Sequence, residues 1–342
     1  MSKKTTIYDI AKALNITAAT VSRALNNNPR ISDDTKRMVL ETAAELNYKP
    51  NRLAMALKSG KSKNVGVVLP YINRTFFSNV IHGIEEELNP MGYNVIICQT
   101  HEDEKKEADV IQNLLNAQVD GILISVSRET KNTEHFNQIL KKNIPLIFYD
   151  RKINVKGASS VTLDDYQGAY EATKHLIDQG CKKIAHFTVD RSLEIYENRI
   201  QGYKQALKDG GIKFNMNHVV TIESDIEAGK EATKKLMELA NPPDAIFSAS
   251  DPCALGAIQH LKSINVRIPE DFCVVGFSND PFTQFMELTI SSVDQSPLLM
   301  GRTAAKVFLE QINEDDIKIE KQVVLTPSLK IRKSSMKLDS DL

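Results

Sequence analysis

The chain has 342 residues, of which 42% are hydrophobic and 25% are charged, and its formal net charge at pH 7 is −1. These values are typical of globular proteins, and the length allows two or three domains with well-buried cores. The sequence has neither the run of about 18 apolar residues that a transmembrane helix needs nor a secretory signal. Its four cysteines are scattered singly and none forms a CxxC motif, which favours buried thiols over disulfides or a zinc site. We therefore expect a cytoplasmic protein without a membrane partner.

The charge is distributed unevenly along the chain. Residues 1–63 contain 12 Lys and Arg against 5 Asp and Glu, whereas the remainder contains 31 basic and 39 acidic residues, so the net charges are +7 and −8. A small basic segment joined to a mildly acidic body is typical of a polyanion-binding head attached to a regulatory or catalytic domain. Charge alone leaves open the alternative of a merely solvated N-terminus.

Within the basic segment, hydrophobic periodicity predicts three short helices. Apolar residues recur at helical spacing from Ile7 to Leu14, and Asn15 follows, a residue that tolerates the left-handed conformation of a tight turn. Thr17 and Ser32 are expected to cap the second and third helices. Two helices joined by so short a turn form a helix-turn-helix unit, with a helical bundle cap as the alternative. The inward stripe of the third helix would consist of Val39, Leu40, Ala43 and Leu46.

The second predicted helix carries the segment TAATVSRAL, in which small side chains predominate. Small residues let a helix lie deep in the major groove of DNA, and Arg23 is suited to a bidentate contact with guanine. We therefore predict that this helix reads double-stranded DNA. The predicted DNA contacts of the head are Thr6, Tyr8, Thr17, Ala18, Ala19, Thr20, Ser22, Arg23, Asn26, Ser32 and Thr35.

After Pro50, residues 51–59 are predicted to form a hinge helix that ends at Gly60. A helix of this length is too short to be stable alone, so it would order only against a symmetry-related copy and DNA. Leu57 is predicted to contact that copy or to act as an apolar wedge between base steps. The predicted DNA contacts of the hinge are Asn51, Ala54, Leu57 and Lys58.

From residue 64 onward, apolar strand candidates alternate with amphipathic helices. This alternation predicts parallel sheets covered by helices, in two halves whose strand ends open towards a shared cleft. The predicted strands are residues 65–69, 94–98, 121–125, 145–150, 183–187, 244–249 and 272–277.

Polar and aromatic side chains near the predicted strand ends are the candidates for binding a small-molecule effector. The sequence has no GxGxxG, Walker-type, HExxH or GxSxG motif, and its seven histidines are dispersed. We therefore expect neither catalysis nor a bound cofactor or metal. The predicted effector-binding residues are Tyr71, Asn73, Phe76, Phe77, Asp150, Asp164, Arg199, Ser250, Asp251, Asn279 and Gln295.

Three stretches of the chain resemble the LacI/GalR (lac repressor) family of bacterial transcription regulators. They are TIYDIAKALNITAATVSRALNN, RISDDTKRMVLETAAELNYKPNRLAMALKSGKSKNVGVVLP and VVGFSNDPFTQFMELTISSVDQSPLLMGRTAA. The resemblance extends from Thr6 to about Ser335. It implies a periplasmic-binding-protein-like core with chain crossovers near residues 162, 292 and 323, and a sugar or purine effector in the cleft.

Within that resemblance, Arg199 falls on the family's ligand arginine. The family usually carries an acidic pair after the VVGF segment, where this chain has Ser278 and Asn279. A carboxylate accepts two sugar hydroxyls, whereas an amide accepts one and donates one. This departure predicts an effector that is less polyhydroxylated, modified or anionic.

These inferences divide the chain into four parts: an all-α helix-turn-helix head at 1–50, a hinge helix and linker at 51–63, an effector-binding and dimerisation core at 64–335, and a tail at 336–342. The core is predicted to be an α/β periplasmic-binding-protein-like fold of two parallel-sheet subdomains, 64–162 with 293–322 and 163–292 with 323–335. Two heads on a twofold axis read a pseudo-palindromic operator, and the tail lacks leucine heptads. We therefore predict a homodimer.

The sequence as a whole predicts a DNA-binding transcriptional repressor whose operator affinity is controlled by a small effector, such as a sugar or a sugar derivative. Two alternatives remain at this point. One is a soluble sugar- or purine-binding sensor without DNA activity, and the other is a DNA binder with a degenerate effector cleft.

Overall fold

The computed structural model describes residues 5–49, 60–189, 192–313 and 320–337. The chain divides into two compact units, Met1–Ser62 and Lys63–Leu342. The predicted hinge contacts at 51–58 lie outside the described residues, as does most of the predicted tail. Within the described ranges, no helix is long and apolar enough to cross a membrane.

Residues 5–49 of the first unit form three helices packed around a small apolar core. They are α1 (Ile7–Leu14), α2 (Ala18–Leu25) and α3 (Asp33–Glu45). One residue from each helix, Ile10, Val21 and Val39, is fully buried where the three apolar faces meet. Asn15 ends α1 at φ 52° and ψ 41°, the left-handed conformation that turns the chain into α2. The predicted helix-turn-helix is confirmed.

Each of these helices begins at a polar cap. Asp9 Oδ2 accepts a hydrogen bond from the backbone N–H of Thr6 at 2.8 Å, which ties the start of α1. The hydroxyls of Thr17 and Ser32 each accept from a backbone N–H three residues later, at 3.1 Å and 3.3 Å. The predicted caps of α2 and α3 are therefore confirmed, and each satisfies a backbone donor that the helix leaves unpaired.

The predicted inward stripe of α3 is wrong at two positions. Val39 and Ala43 are buried, whereas Leu40 is 55% exposed and Leu46 is 38% exposed. Because a helix turns by about 100° per residue, Leu40 lies away from the line that Val39 and Ala43 form. Leu46 follows the last helical residue as the C-cap and is not on the buried face.

In the described part of the second unit, the strands form two six-stranded sheets. Strand order is β11-β5-β4-β3-β1-β2 in the first sheet and β12-β10-β9-β8-β6-β7 in the second, and the strand pairs are parallel except β10 with β12. The strands are β1 (Asn64–Leu69), β2 (Asn94–Gln99), β3 (Gly121–Ile124), β4 (Leu146–Tyr149), β5 (Ser159–Leu163), β6 (Ile184–Thr188), β7 (Val219–Thr221), β8 (Ala245–Ser248), β9 (Cys273–Ser278), β10 (Ser291–Asp294), β11 (Gln322–Leu325) and β12 (Ser328–Lys330).

Helices connect the parallel strands, because a parallel pair needs a crossover connection. Each sheet with the helices packed on it forms one subdomain. Strands such as GILI and LIFY are wholly buried and apolar, as expected when helices cover the sheet. The helices are α4 (Thr75–Leu88), α5 (Glu104–Asn116), α6 (Glu134–Lys141), α7 (Asp165–Asp178), α8 (Glu194–Asp209), α9 (Ile226–Met237), α10 (Asp251–Ser263), α11 (Phe282–Phe285) and α12 (Pro297–Asn313).

The predicted strands are all present, and their ends differ from the prediction by no more than one residue. No sequence pattern predicted β5, β7, β10, β11 or β12. These strands have three to five residues, and segments such as SSVTL and SLK are too short and too polar to be told from loops.

The chain crosses between the two sheets after β5, after β10 and after β11. The predicted boundaries at 162, 292 and 323 are each placed too early. Leu163 and Leu325 pair with each other in the first sheet, so residues 323–325 belong to the first subdomain. Val293 and Asp294 pair with β9 in the second sheet and belong to the second subdomain. The physical reason is that each strand completes its hydrogen-bonded ladder before the chain leaves its sheet.

Helices α4 and α12 touch backbone to backbone at two glycines. A Cβ atom added at Gly301 would lie 2.0 Å from the carbonyl oxygen of Val80, and one added at Gly83 would lie 2.2 Å from that of Leu298. These distances leave no room for a side chain, so the packing of α12 on the first subdomain depends on both glycines.

Replacing Gly301 by alanine is therefore expected to destabilise the core. The added methyl group must push α12 away from α4, and overpacking of this kind costs about 1–3 kcal/mol. Thermal unfolding would measure the loss, with Gly210→Ala as the control, because a Cβ at Gly210 meets mainly the side chain of Ile177. Equal unfolding temperatures for Gly301→Ala and the unmodified protein would contradict the close packing.

Candidate DNA-binding face and effector cavity

Helix α2 is anchored on one side and exposes small side chains on the other. Val21 and Ala24 are buried in the core of the first unit. Ala19 and Arg23, which are four residues apart and share a face, are exposed. The side chain of Arg23 forms no hydrogen bond or ion pair with another described residue. Its guanidinium donors therefore remain available to a partner.

Most of the other predicted DNA contacts lie at the starts of the three helices, whereas Ser22 lies in the middle of α2 and Asn26 is its C-cap. The hydroxyls of Thr17 and Thr20 are 2.9 Å apart, and those of Ser32 and Thr35 are 2.8 Å apart, so both pairs take part in helix caps. The N-terminal end of a helix attracts phosphate through its backbone N–H groups and its dipole. Thr6, Tyr8, Thr17, Ala19, Arg23, Asn26 and Ser32 are exposed, and Ala18, Thr20, Ser22 and Thr35 are half-buried.

A cavity of about 220 Å³ lies between the two subdomains, at the carboxyl ends of their strands. This is the position at which parallel α/β sheets bind ligands. The predicted effector-binding residues that line it are Tyr71, Phe76, Phe77, Asp150, Arg199, Ser250 and Gln295.

Four of the predicted residues do not line this cavity. Asn73 is exposed outside it. The Asp164 carboxylate caps α7, where it accepts from the backbone N–H of Gln167 at 2.9 Å, and it faces a separate cavity beside the crossovers. Placement at a strand end therefore does not by itself bring a side chain into the cavity. The remaining two, Asp251 and Asn279, lie behind its wall.

Asp251 and Asn279 are both used inside the second subdomain. Asp251 is fully buried and accepts from the Ser292 hydroxyl at 2.6 Å and from the backbone N–H of Asp280 at 2.7 Å. The Asn279 amide donates to Asp294 at 3.2 Å and accepts from Arg332 at 2.7 Å. The prediction that these two side chains face the ligand is therefore wrong. They hold the end of β9 and the loop that follows it, where Ser278 and Asp280 line the cavity.

Arg199 is buried at the floor of the cavity in a dense set of contacts. Its Nε donates to Asp165 at 2.7 Å, and its Nη1 donates to the carbonyl of Ala249 at 2.9 Å. The guanidinium also lies 3.6 Å from the ring centre of Phe277. Burial raises the pKa of Asp165 to about 6, although Arg199 opposes the shift. The arginine is thus held rigidly by groups other than a ligand.

Asp150 and Arg151 form a second buried pair at the end of β4. Asp150 adopts a left-handed conformation with φ 60°, and its carboxylate accepts from Ser125 at 3.3 Å. Burial raises its pKa, with Arg151 and Arg199 acting in the opposite direction. Arg151 Nη1 donates to Glu102 at 2.9 Å. Arg151 directly follows Asp150 at the strand end and also lines the cavity.

Contacts at the cavity also join the two subdomains. Arg74 Nη1 donates to the carbonyl of Ser224 at 3.1 Å, and Arg128 Nη1 lies 3.4 Å from the Glu223 carboxylate. The Ser192 hydroxyl donates to the carbonyl of Arg128 at 3.5 Å. Sequence reasoning missed all of these residues, because they lie on loops and their partners are 64 to 150 residues away.

Comparison with protein-family models assigns both units. Residues 6–51 match the family described as bacterial regulatory proteins, lacI family. Residues 62–331 match the family described as periplasmic binding proteins and sugar binding domain of LacI family. The chain belongs to the LacI family. Among curated LacI-family relatives, the HTH-type transcriptional regulator DegA of Bacillus subtilis (strain 168) is 32% identical over 98% of this chain and all of that protein.

Solved structures agree with the LacI-family fold. The lac repressor dimer bound to operator and the anti-inducer ONPF superposes with a TM-score of 0.86 over 98% of this chain and all of that chain, at 23% identity, and this likeness shows the fold alone. The transcriptional regulator CelR–cellobiose complex matches with a TM-score of 0.73 at 25% identity, over 97% of this chain and all of that one. The chain is thus a LacI-family DNA-binding transcriptional regulator with an effector-binding domain.

The buried carboxyl of Asp251 predicts a dependence of stability on pH. Burial raises its pKa to about 7, against an ordinary value of about 3.9, so the folded protein binds this proton more tightly than the unfolded chain. The resulting stabilisation is complete below about pH 4 and is lost as the pH rises to about 7, by at most about 1.4 kcal/mol per pH unit.

Urea unfolding of the unmodified protein and of Asp251→Asn between pH 5 and 8 would measure the stabilisation that the protonated Asp251 carboxyl contributes. The difference in unfolding free energy between the two should fall as the pH rises from 5 to 7 and then level off. Asp271→Asn is the control, because Arg267 lowers the pKa of that exposed carboxyl. A difference between Asp251→Asn and the unmodified protein that stays constant from pH 5 to 7 would contradict the assignment.

Proposed function

We propose that the protein is a homodimeric repressor that binds a pseudo-palindromic operator and releases or tightens it when a sugar or sugar derivative occupies the cavity. One observation carries the effector assignment. A single cavity of about 220 Å³ is lined by the Asp150 carboxylate, by the guanidinium groups of Arg151 and Arg199, and by the rings of Tyr71 and Phe76. Pockets for larger drug-sized ligands have volumes of roughly 300–1,000 Å³, so the cavity suits a small effector.

The chemistry of the lining favours hydroxyl groups. A hydroxyl donates to a carboxylate and accepts from a guanidinium, so adjacent Asp and Arg side chains satisfy it in both roles. Aromatic rings supply the apolar surface that the carbon face of a sugar ring needs. The CelR complex, whose ligand is cellobiose, supports a carbohydrate effector.

In the sequence, Ser278 and Asn279 in place of an acidic pair allowed an anionic effector. The charge of the cavity argues against a strongly anionic one. Four guanidinium groups line the cavity, and four carboxylates balance them. The arginines are Arg74, Arg128, Arg151 and Arg199, and the acidic residues are Glu102, Asp150, Glu223 and Asp280. An anionic ligand would find no net positive charge, whereas a neutral ligand with many hydroxyls would find both donors and acceptors.

The contacts between the subdomains supply a route from effector to DNA. Arg74–Ser224 and Arg128–Glu223 join the subdomains at the cavity that the effector would enter. A ligand shifts operator affinity only by its differential affinity for the two subdomain orientations. Such coupling is typically about 1–3 kcal/mol and is reciprocal, so operator DNA would change effector affinity by the same factor.

The remaining parts of the proposal concern assembly and location. A lone head makes too few contacts for specific binding at cellular salt, whereas two heads on a twofold axis read both half-sites. We place the protein in the bacterial cytoplasm, on nucleoid DNA when bound, without a cofactor and without catalytic activity. The family's regulatory role and the bacterial source of DegA support this placement.

Arg23→Ala should weaken operator binding by about 1–3 kcal/mol and relax the base preference at one position, because it removes a predicted base contact. Electrophoretic mobility shifts on a site selected by the unmodified protein, and on its single-base variants, would measure both effects. Arg37→Ala is the matched control, since Arg37 is exposed on α3 and pairs with Asp34. If both variants lost the same binding affinity on every DNA sequence, the proposal that α2 recognises bases would be wrong.

Arg199→Ala should abolish the response of operator binding to the effector while operator binding without effector persists. Because truncation leaves Asp165 buried and unpaired, Arg199→Lys is the companion variant that retains the charge. Operator titrations with and without the ligand found by a thermal-shift panel would measure the response. Arg302→Ala, which breaks an exposed pair with Glu86, is the control. A full effector response in both Arg199→Lys and Arg199→Ala would contradict the proposal that Arg199 binds the effector.

A further inference from the structure

A second cavity of about 260 Å³ lies beside the first, next to the crossovers between the subdomains. It is formed by the end of β5, the starts of α7 and α8, and the exposed edge strand β11. The residues that line it without lining the first cavity include Lys152, Thr162, Asp164, Glu194, Asn198 and Val324. An effector confined to the first cavity would leave all of these unused.

The two cavities share one wall. Asp150 and Arg151 line both volumes from the first subdomain, and Leu193 and Ile195 line both from the second. The partition is therefore composed of residues from both subdomains, and its width depends on how they are oriented. A ligand that extends past this partition would contact more of both subdomains than a ligand in either cavity alone.

The side chain of Arg151 carries a hydrogen-bond donor on this partition. Arg151 Nη1 donates to Glu102, but Arg151 Nε is buried, lies 3.7 Å from Asp150 Oδ2, and has no hydrogen-bond partner among the described residues. In the first cavity, the buried hydroxyl of Ser250 is likewise without a partner in the described part of the chain. Buried polar groups nearly always have a hydrogen-bond partner. A ligand oxygen between the cavities would supply the missing acceptor for Arg151 Nε.

The charge of the second cavity restricts what enters it. Asp150, Asp164, Asp165 and Glu194 line it, against Arg151 and Lys152. This excess of carboxylates repels a phosphate or carboxylate group and accepts hydrogen bonds from hydroxyls. The lining also includes Asn198 and Thr162, whose side chains both donate and accept.

We propose that the effector is a neutral saccharide of two rings, with one ring in each cavity and the linking oxygen accepting from Arg151. This inference rests on the proposed carbohydrate response and specifies its ligand class. The two volumes, about 220 and 260 Å³, are similar, as two rings of one kind require. A single sugar ring would fill only one volume and leave Arg151 Nε unpaired.

Calorimetric titration with cellobiose, maltose and lactose, each compared with its component monosaccharides and with glucose 6-phosphate, tests the proposal. At least one disaccharide should bind about tenfold or more tightly than its components. Asn198→Leu and Asp164→Asn should weaken that disaccharide by about three- to tenfold, the range for one lost hydrogen bond, and should weaken the component monosaccharides less than they weaken the disaccharide. Asparagine still caps a helix, so Asp164→Asn preserves the start of α7.

Gln201→Leu is the matched control, because Gln201 is exposed on the same helix as Asn198 and lines neither cavity. Equal affinities for disaccharides and their components, with no effect of Asn198→Leu, would overturn the two-ring assignment and leave the carbohydrate response standing. Tighter binding of glucose 6-phosphate than of every disaccharide would overturn the proposal that the effector is neutral. Failure of every sugar to bind would overturn both the two-ring assignment and the proposed carbohydrate effector.

Discussion

The buried ion pair between Arg199 and Asp165 links the effector cavity to the architecture of the core. Asp165 is the first residue of α7, directly after the first crossover, and Arg199 lies on α8. Breaking a buried pair by removing one partner costs about 3–5 kcal/mol, because the remaining charge is left without compensation. A ligand that contacts Arg199 therefore contacts a side chain that also stabilises the start of the second subdomain through Asp165.

The cost of burying this pair is offset by contacts that also position it. Arg199 donates to the carbonyl of Ala249, beside Ser250 in the cavity, and its guanidinium stacks on Phe277 in β9. Asp165 receives less compensation, as its pKa of about 6 indicates. The arginine is thus tied to α7, β9 and the loop after β8, and it lines the cavity. This rigidity means that the ligand, and not the arginine, must adapt during binding.

The three crossovers explain why the cavity lies where it does. Each parallel sheet presents the carboxyl ends of its strands to the other, and polar side chains that are distant in sequence meet in the gap. Within the core, contacts such as Arg74 with Ser224 connect loops of the two subdomains across this gap. The head follows a different principle. Its caps and turns are formed by residues three or four positions apart, and its apolar core is correspondingly small.

The sequence by itself determined the features that depend on local patterns: the three helices of the head, their caps at Thr17 and Ser32, and the apolar strands of the core. Family resemblance added Arg199, and strand-end position identified Asp150 and Ser250. Only the tertiary structure decided that Asp251 and Asn279 support the wall, because their partners Ser292 and Arg332 lie 41 and 53 residues away. It also showed that Arg151 lies between two cavities. Periodicity reports which residues are buried, but the pairing of charged side chains depends on where the loops of two sheets meet.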